Sequence, residues 1–245
     1  MSHQEHTSTR AFISAIIPAL NEEATIRDVV REIPRHLADE IIVVDNGSSD
    51  ETGGRARQAG ARVVSEPRKG YGRACFSGFL AVDEKCSVVV FLDGDGSDCP
   101  ECMSELTTPI TDGKADFVIG SRARGKRERG SMNAGQLLAG WMAGWLTNIL
   151  YGVKYTDMCP FRAISRNALR NLRMTEMTYG WNLEMQIRAA RARLRILEIP
   201  VPHRCRAGGA SKVSGTLRGT FVAGSRITAT LIRVILERRP PSVLP

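Results

Sequence analysis

Aromatic residues are scarce: Phe, Trp and Tyr make up 6% of the chain. They do not interleave with the arginine runs, and no nucleic-acid-binding motif is present, so no nucleic-acid partner is expected. The four histidines (3, 6, 36 and 203) are dispersed, and the six cysteines (75, 86, 99, 102, 159 and 205) follow no repeating frame. Cys99-Pro100-Glu101-Cys102 is a CxxC without a second one, which speaks against zinc and leaves an incidental or a redox role. The first residues, MSHQEHTSTRAF, lack an apolar signal core, so a cytoplasmic chain with reduced thiols is expected. There is no internal repeat, no long linker and no Walker A loop, since neither Gly-Lys pair is followed by Ser or Thr. What the chain does have is an excess of base, 34 Lys and Arg against 26 Asp and Glu, for a formal net charge of +8. That balance favours partners carrying phosphate, whether nucleotides, nucleic acids or anionic lipid surfaces.

With 245 residues and 42% hydrophobic content, the chain can bury one large core. Apolar runs predict strands at 12–18, 40–44, 62–65, 87–92 and 115–120. Helices are predicted at 22–34, about 50–59, 72–81 and 100–110. This alternation indicates an α/β fold, a mostly parallel sheet flanked by helices. Ligands on such sheets sit beyond the carboxyl ends of the strands. Polar residues cluster there: Pro18 to Glu23 after the first strand, Asp45 to Asp50 after the second, Asp93 to Asp98 after the fourth and Ser121-Arg122 after the fifth.

The second half is less regular. Residues 122–129 form a basic run with glycines, read as a mobile loop. Residues 131–153 carry no charge, yet Asn133, Gln136, Asn148 and several glycines argue against a membrane span. Leu138, Trp141, Met142, Trp145 and Ile149 fall at helical spacing on one side, predicting an amphipathic helix packed on the domain or lying in a membrane interface. A strand at 161–164, a helix at 181–192, proline-broken edge strands at 195–200 and 201–206, and a helix over 215–237 with Arg226 and Arg233 on one face complete the reading.

Asp93-Gly94-Asp95 is the central clue. Two carboxylates one residue apart, at the exit of a buried strand, suit Mg²⁺ or Mn²⁺, hard cations that share oxygen ligands with phosphates. The alternative is plain turn chemistry. An EF-hand fails, because Asp98 stands where its glycine is needed and Ser104 where its closing glutamate is needed. Asp45 to Asp50 either receives a base or ribose on Asp45 or caps the next helix through Ser49 or Asp50. Lys69-Gly70-Tyr71-Gly72 reads as a phosphate-binding glycine loop or as a turn into a helix; Cys75 breaks the dinucleotide fingerprint.

Taken in order, Pro18-Ala19-Leu20-Asn21-Glu22-Glu23, Ile42 to Asp50, Lys69 to Gly72, Leu92-Asp93-Gly94-Asp95 and Gly120-Ser121-Arg122 resemble the family 2 glycosyltransferases. Within them the chain most resembles bacterial relatives of dolichyl-phosphate mannose synthase, the polyprenyl-phosphate glycosyltransferases. Asp157 to Ala163, Tyr179 to Met185 and Arg206 to Lys212 extend the resemblance over roughly residues 12 to 220. It implies a GT-A fold, Rossmann-like and nucleotide-sugar-binding, over 12–214. The donor half is expected at about 12–122 and the acceptor half at about 123–214, between a flexible N-terminus (1–11) and a C-terminal amphipathic helix and tail (215–245). It implies that Pro18, Leu20, Glu22 and Asp45 line the nucleotide pocket, and that Gly70 and Gly72 lie near the base or ribose. Asp93 and Asp95 would hold the metal and diphosphate, Arg206 and Lys212 would meet the diphosphate, and Arg122 and Arg129 would face the acceptor. Ser97 stands where those synthases usually carry a metal-binding Gln, with Asp98 a candidate substitute.

The resemblance further implies an inverting transfer of a hexose from a UDP-glucose or GDP-mannose type donor. A polyprenyl phosphate acceptor is already an anion and needs no base; a hydroxyl acceptor needs one, with Asp157 and Glu184 as candidates. For Glu184 a surface salt bridge to Arg188 is the competing reading. The basic runs and the uncharged stretch suggest peripheral association with an anionic membrane surface. The other classes considered are a nucleotidyltransferase, which would show a basic glycine-rich segment directly after the first strand, and a basic nucleic-acid-binding module.

Overall fold

In the computed structural model, residues 10–208 and Arg233 are described. Most of the predicted flexible N-terminus, the predicted 215–237 helix except Arg233, and Lys212 and Arg226 lie outside the described residues. Seven strands form one sheet in the order β3-β2-β1-β4-β6-β5-β7: β1 (Phe12–Ala19), β2 (Glu40–Asp45), β3 (Arg62–Ser65), β4 (Cys86–Phe91), β5 (Phe117–Ser121), β6 (Arg162–Ser165) and β7 (Ile196–Pro200). Within residues 10–208 the helices are α1 (Ile26–Glu32), α2 (Thr52–Gln58), α3 (Tyr71–Ala81), α4 (Met103–Thr111), α5 (Ala134–Tyr151), α6 (Arg166–Leu172) and α7 (Trp181–Arg191).

All neighbouring strands are parallel except β6, which runs antiparallel to both β4 and β5. The central strands β1, β2 and β4 are apolar on both faces, and their interior residues are buried. This is the pattern of a sheet covered on both sides. Since β1, β2, β3, β4, β5 and β7 share one direction, the loops that follow them emerge at one edge. The reversed β6 brings the segment before it, with Asp157, to that same edge. One antiparallel strand thereby adds the segment before it to the loops that follow six parallel strands.

The sequence pattern misplaces some boundaries. The predicted 22–34 helix starts only at Ile26, because Glu22 to Thr25 form a turn in which the Glu22 carbonyl accepts from the Thr25 and Ile26 N–H groups. Pro100–Cys102 is a 3₁₀ turn leading into α4. Residues 201–206 are not a strand; only His203 bridges to Arg127. Helix α6 was not anticipated, although Ser165 caps it by accepting from the Ala168 N–H.

Helix α5 starts at a reciprocal cap, in which Asn133 Oδ1 accepts from the Gln136 N–H and Gln136 Oε1 from the Asn133 N–H. It ends at Gly152, whose φ of 71° is left-handed. Its inward face is made of small residues, Gly140, Ala143, Gly144 and Thr147. A Cβ on Gly144 would lie 1.8 Å from the Tyr155 carbonyl oxygen, so only glycine lets the helix backbone rest on the chain leading to Asp157. The large apolar stripe points away: Leu138, Trp141, Met142, Trp145 and Ile149 are 55–62% exposed. No helix among the described residues is long and apolar enough to cross a membrane.

Candidate active site

The loops after β1 and β2 are laced together. Ser48 Oγ accepts from the Asn21 N–H, and Asn21 Oδ1 accepts from the Ser49 N–H. Asn21 reaches this position with φ 51°, in the left-handed region that asparagine tolerates. Asn46 ties in the loop after β3, donating from Nδ2 to the Glu66 and Arg68 carbonyls and accepting from the Gly70 N–H. Asp45, at the end of β2, accepts from the Ser48 N–H at 2.9 Å. The cap of α2 falls to neither anticipated residue but to Glu51, whose side chain makes no cap hydrogen bond; Asp50 accepts from the Thr52 N–H and hydroxyl. Pro18 is buried in β1, Leu20 is half-buried and Glu22 is buried at the sheet edge.

Gly70 and Gly72 pack closely against the backbone of residues 176–178. A Cβ on Gly70 would lie 2.3 Å from the Met177 carbonyl oxygen, and one on Gly72 2.2 Å from that of Glu176. The Gly72 and Arg73 N–H groups donate to the Thr178 and Met177 carbonyls. These glycines let the start of α3 dock on the 176–178 segment, so their α-carbon faces are filled by protein backbone.

Past β4, three carboxylates crowd within six residues. Asp93 accepts from the Tyr71 hydroxyl at 3.1 Å. Asp95 Oδ1 accepts from both the N–H and the hydroxyl of Ser97, at 2.9 and 2.6 Å. Asp98 Oδ2 accepts from the Asp93 N–H at 2.9 Å. Burial, then the charges of Asp95 and Asp98, push the Asp93 carboxyl well above its ordinary range. Burial also pushes Asp98 up to about 7, against the hydrogen bond from Asp93. A cluster that resists its own ionisation favours a cation. Among the described residues no three His, Cys, Asp or Glu side chains are set to hold a metal ion by themselves. Asp93 and Asp95 fit a divalent cation as two hard oxygen donors, with the remaining positions left to oxygens from another molecule. Ser97 is committed to orienting Asp95.

Arg206 is the cation already present. Its guanidinium lies 2.9 Å from Asp95 Oδ2 and 3.1 Å from Glu22 Oε1. Its segment is laid over the carboxylate loop by two backbone bonds, Arg204 N–H to Ser97 O and Ala207 N–H to Asp95 O.

Arg122 and Asp157 form the second centre. Asp157, 2% exposed, accepts from the Arg122 N–H, Nε and Nη2 at 2.8–2.9 Å and from the Met158 N–H at 2.7 Å. Burial raises the Asp157 carboxyl, but the bonds from Arg122 outweigh it and hold the group below its usual value. Burial likewise works against the Arg122 guanidinium, and Asp157 raises it in spite of that. Arg122 Nη1 has no hydrogen-bond partner among the described residues. Arg129 is exposed on the same basic loop, with its guanidinium likewise unpaired among the described residues. Glu184 is not a surface residue. It is fully buried and bonded to Thr175, the Glu176 N–H and Arg188, with the Arg233 guanidinium 3.6 Å away.

Two residues escaped the sequence reading. Tyr71 was passed over as part of a glycine turn, yet its hydroxyl holds Asp93. His203 is 5% exposed, its Nδ1 is buried without a partner among the described residues, and its charged neighbours include Arg122, Asp95 and Asp157. Burial, then the charge of Arg122, lower its pKa, so the ring is neutral at pH 7. Its place in a proline-broken stretch gave no sign of this.

A GT-A-like α/β sheet that gathers acidic and basic loops at one edge defines the class, a glycosyltransferase. The family model described as Glycosyl transferase family 2 matches residues 14–173, and the chain belongs to that family. It is 35% identical over 215 residues to an uncharacterized glycosyltransferase of Mycobacterium tuberculosis, covering 86% of this chain and 94% of that one. It is 33% identical over 232 residues to a dolichyl-phosphate hexose transferase of Haloferax volcanii, covering 93% and 95%. Among solved structures it resembles glucosyl-3-phosphoglycerate synthase of M. tuberculosis in complex with Mn²⁺, UDP-glucose and phosphoglyceric acid. The TM-score is 0.75 at 27% identity, over 91% of this chain and 79% of that one.

Proposed function

We propose that this chain is an inverting hexosyltransferase that moves a hexose from a UDP-glucose or GDP-mannose type donor to a polyprenyl phosphate. Mg²⁺ or Mn²⁺ would sit between Asp93, Asp95 and the donor diphosphate, where it neutralises charge on the departing group. The 27% identical synthase with Mn²⁺ and UDP-glucose supports the donor and metal, and the dolichyl-phosphate hexose transferase supports the acceptor. Pro18, Leu20, Glu22 and Asp45 line the proposed nucleotide pocket, and Arg122 and Arg129 offer guanidinium groups to an anionic acceptor.

The observation that carries the acceptor is the state of the two base candidates. Asp157 is occupied by Arg122 and held below its usual pKa, and Glu184 is buried in its own hydrogen bonds. Neither is poised to deprotonate a hydroxyl. A phosphate oxygen is already ionised, and Arg122, fixed by Asp157, presents Nη1 to it. Incubating the protein with radiolabelled UDP-glucose or GDP-mannose, Mn²⁺ and either undecaprenyl phosphate or 3-phosphoglycerate tests the reading. Label in the lipid phase supports it, and label only in phosphoglycerate overturns the acceptor.

The outward face of α5 fits the same acceptor. Trp141 and Trp145, with Leu138, Met142 and Ile149, form an uncharged exposed stripe on the helix that follows the basic 122–129 run in the chain. An apolar stripe with adjacent positive charge suits the interface of an anionic bilayer. Trp141→Ser with Trp145→Ser is expected to reduce co-flotation with phosphatidylglycerol vesicles at low salt at least about tenfold, from the apolar area withdrawn. The folded domain should be unaffected, since both rings are exposed. Unchanged flotation would remove α5 from the contact.

A further inference from the structure

Both oxygens of Asp95 have partners within the chain. Oδ1 holds the Ser97 N–H and hydroxyl, and Oδ2 holds the guanidinium of Arg206, which also bridges to Glu22. A metal ion approaching Asp95 therefore meets an internal cation at the same carboxylate. We propose that Arg206 is a resident counter-cation of the metal site, competing with the divalent ion in the donor-free enzyme and released from Asp95 when metal and diphosphate arrive together.

This rests on the metal reading above and adds an order to it. The exchange is balanced in charge. The metal takes over the carboxylates, and the freed guanidinium has a new anion in the diphosphate, for which its planar fork is suited. Metal without donor displaces Arg206 with no compensating partner, so it binds weakly. Metal with donor gives Arg206 a second anion, so binding is cooperative. The two backbone bonds from Arg204 and Ala207 to the Ser97 and Asp95 carbonyls keep the arginine within reach in both states. Arg204 serves as an internal control: it lies two residues away on the same segment and pairs with Glu32 and Glu101 instead.

The test is Mn²⁺ binding to the donor-free protein, read from the loss of the free-ion paramagnetic resonance signal, followed by UDP titration at saturating Mn²⁺. Arg206→Gln is expected to tighten Mn²⁺ about fivefold, the scale of a partly exposed charged pair, and to weaken UDP in the presence of metal. Arg204→Gln should leave Mn²⁺ affinity unchanged. Tightening of equal size in both variants would reduce the effect to net charge and overturn the proposal. Unchanged or weaker Mn²⁺ binding in Arg206→Gln, with binding abolished by Asp95→Asn, overturns the competition and leaves the metal site standing. Mn²⁺ binding that survives Asp95→Asn, or none in the wild type, overturns both.

Discussion

Asp95→Asn is expected to lower hexose transfer at least about a thousandfold, the scale of losing the main electrostatic stabilisation of a departing group, while the protein stays folded. The substitution is nearly isosteric. The Asn amide oxygen still accepts from the Ser97 N–H and hydroxyl, so the loop keeps its shape. Two electrostatic changes oppose each other. The ion pair to Arg206 is lost, while the charge of Asp95, which adds to burial in raising Asp93 and Asp98, is removed. The melting temperature should therefore stay within a few degrees or rise, even as activity disappears. Transfer assays and a thermal melt on the same preparation check both halves. Full activity in this variant would remove the metal from Asp95; a large fall in melting temperature would make the loss of activity uninformative.

Arg122→Ala is expected to damage both stability and transfer. It leaves the 2% exposed Asp157 carboxylate without its guanidinium, and breaking a buried ion pair by removing one partner costs about 3–5 kcal/mol. Replacing both partners, as in Arg122→Met with Asp157→Asn, should recover much of that stability because no buried charge is left alone. Activity should not return, since the guanidinium proposed to face the acceptor phosphate is still absent. Stability recovered without activity separates the two roles; recovered activity would mean that Arg122 only holds the fold. The pair also sets a pH dependence. Asp157 has a folded pKa below its unfolded one, so its contribution is complete above the unfolded carboxylate value and is lost as pH falls through the lower, folded value. Denaturant melts of the wild type should weaken through that acid range, and the double variant should lose this part of the slope.

Much of residues 12–122 was legible because it depends on local pattern. The apolar runs of β1, β2 and β4 announce buried strands, and the acidic turns that follow them are consecutive in the chain. Residues 123–208 depend on contacts distant in sequence. The reversal of β6 brings Asp157 to Arg122, 35 positions away, and no periodicity encodes that pairing. Glu184 looked like a surface i,i+4 partner of Arg188 because helical spacing cannot tell which face is covered; Thr175 and the Glu176 N–H cover it. In α5 the spacing found the apolar stripe, but the packed face is the one with glycines, set by the close approach of Tyr155. Gly70 and Gly72 resembled a phosphate loop because a backbone–backbone contact and a backbone–ligand contact require the same residue. His203 and Tyr71 carry no local signature and emerge only once the carboxylate loop is folded.

The central claim, a nucleotide-sugar held through a metal at Asp93 and Asp95, is tested most directly by calorimetric titration of UDP-glucose and GDP-mannose into the protein with and without Mn²⁺. One donor should bind with Mn²⁺ and at least about tenfold more weakly without it, the smallest coupling expected of a shared ion, and Asp95→Asn should erase the difference. Donor binding of equal strength with and without metal, or no binding of either donor at saturating Mn²⁺, would contradict the account.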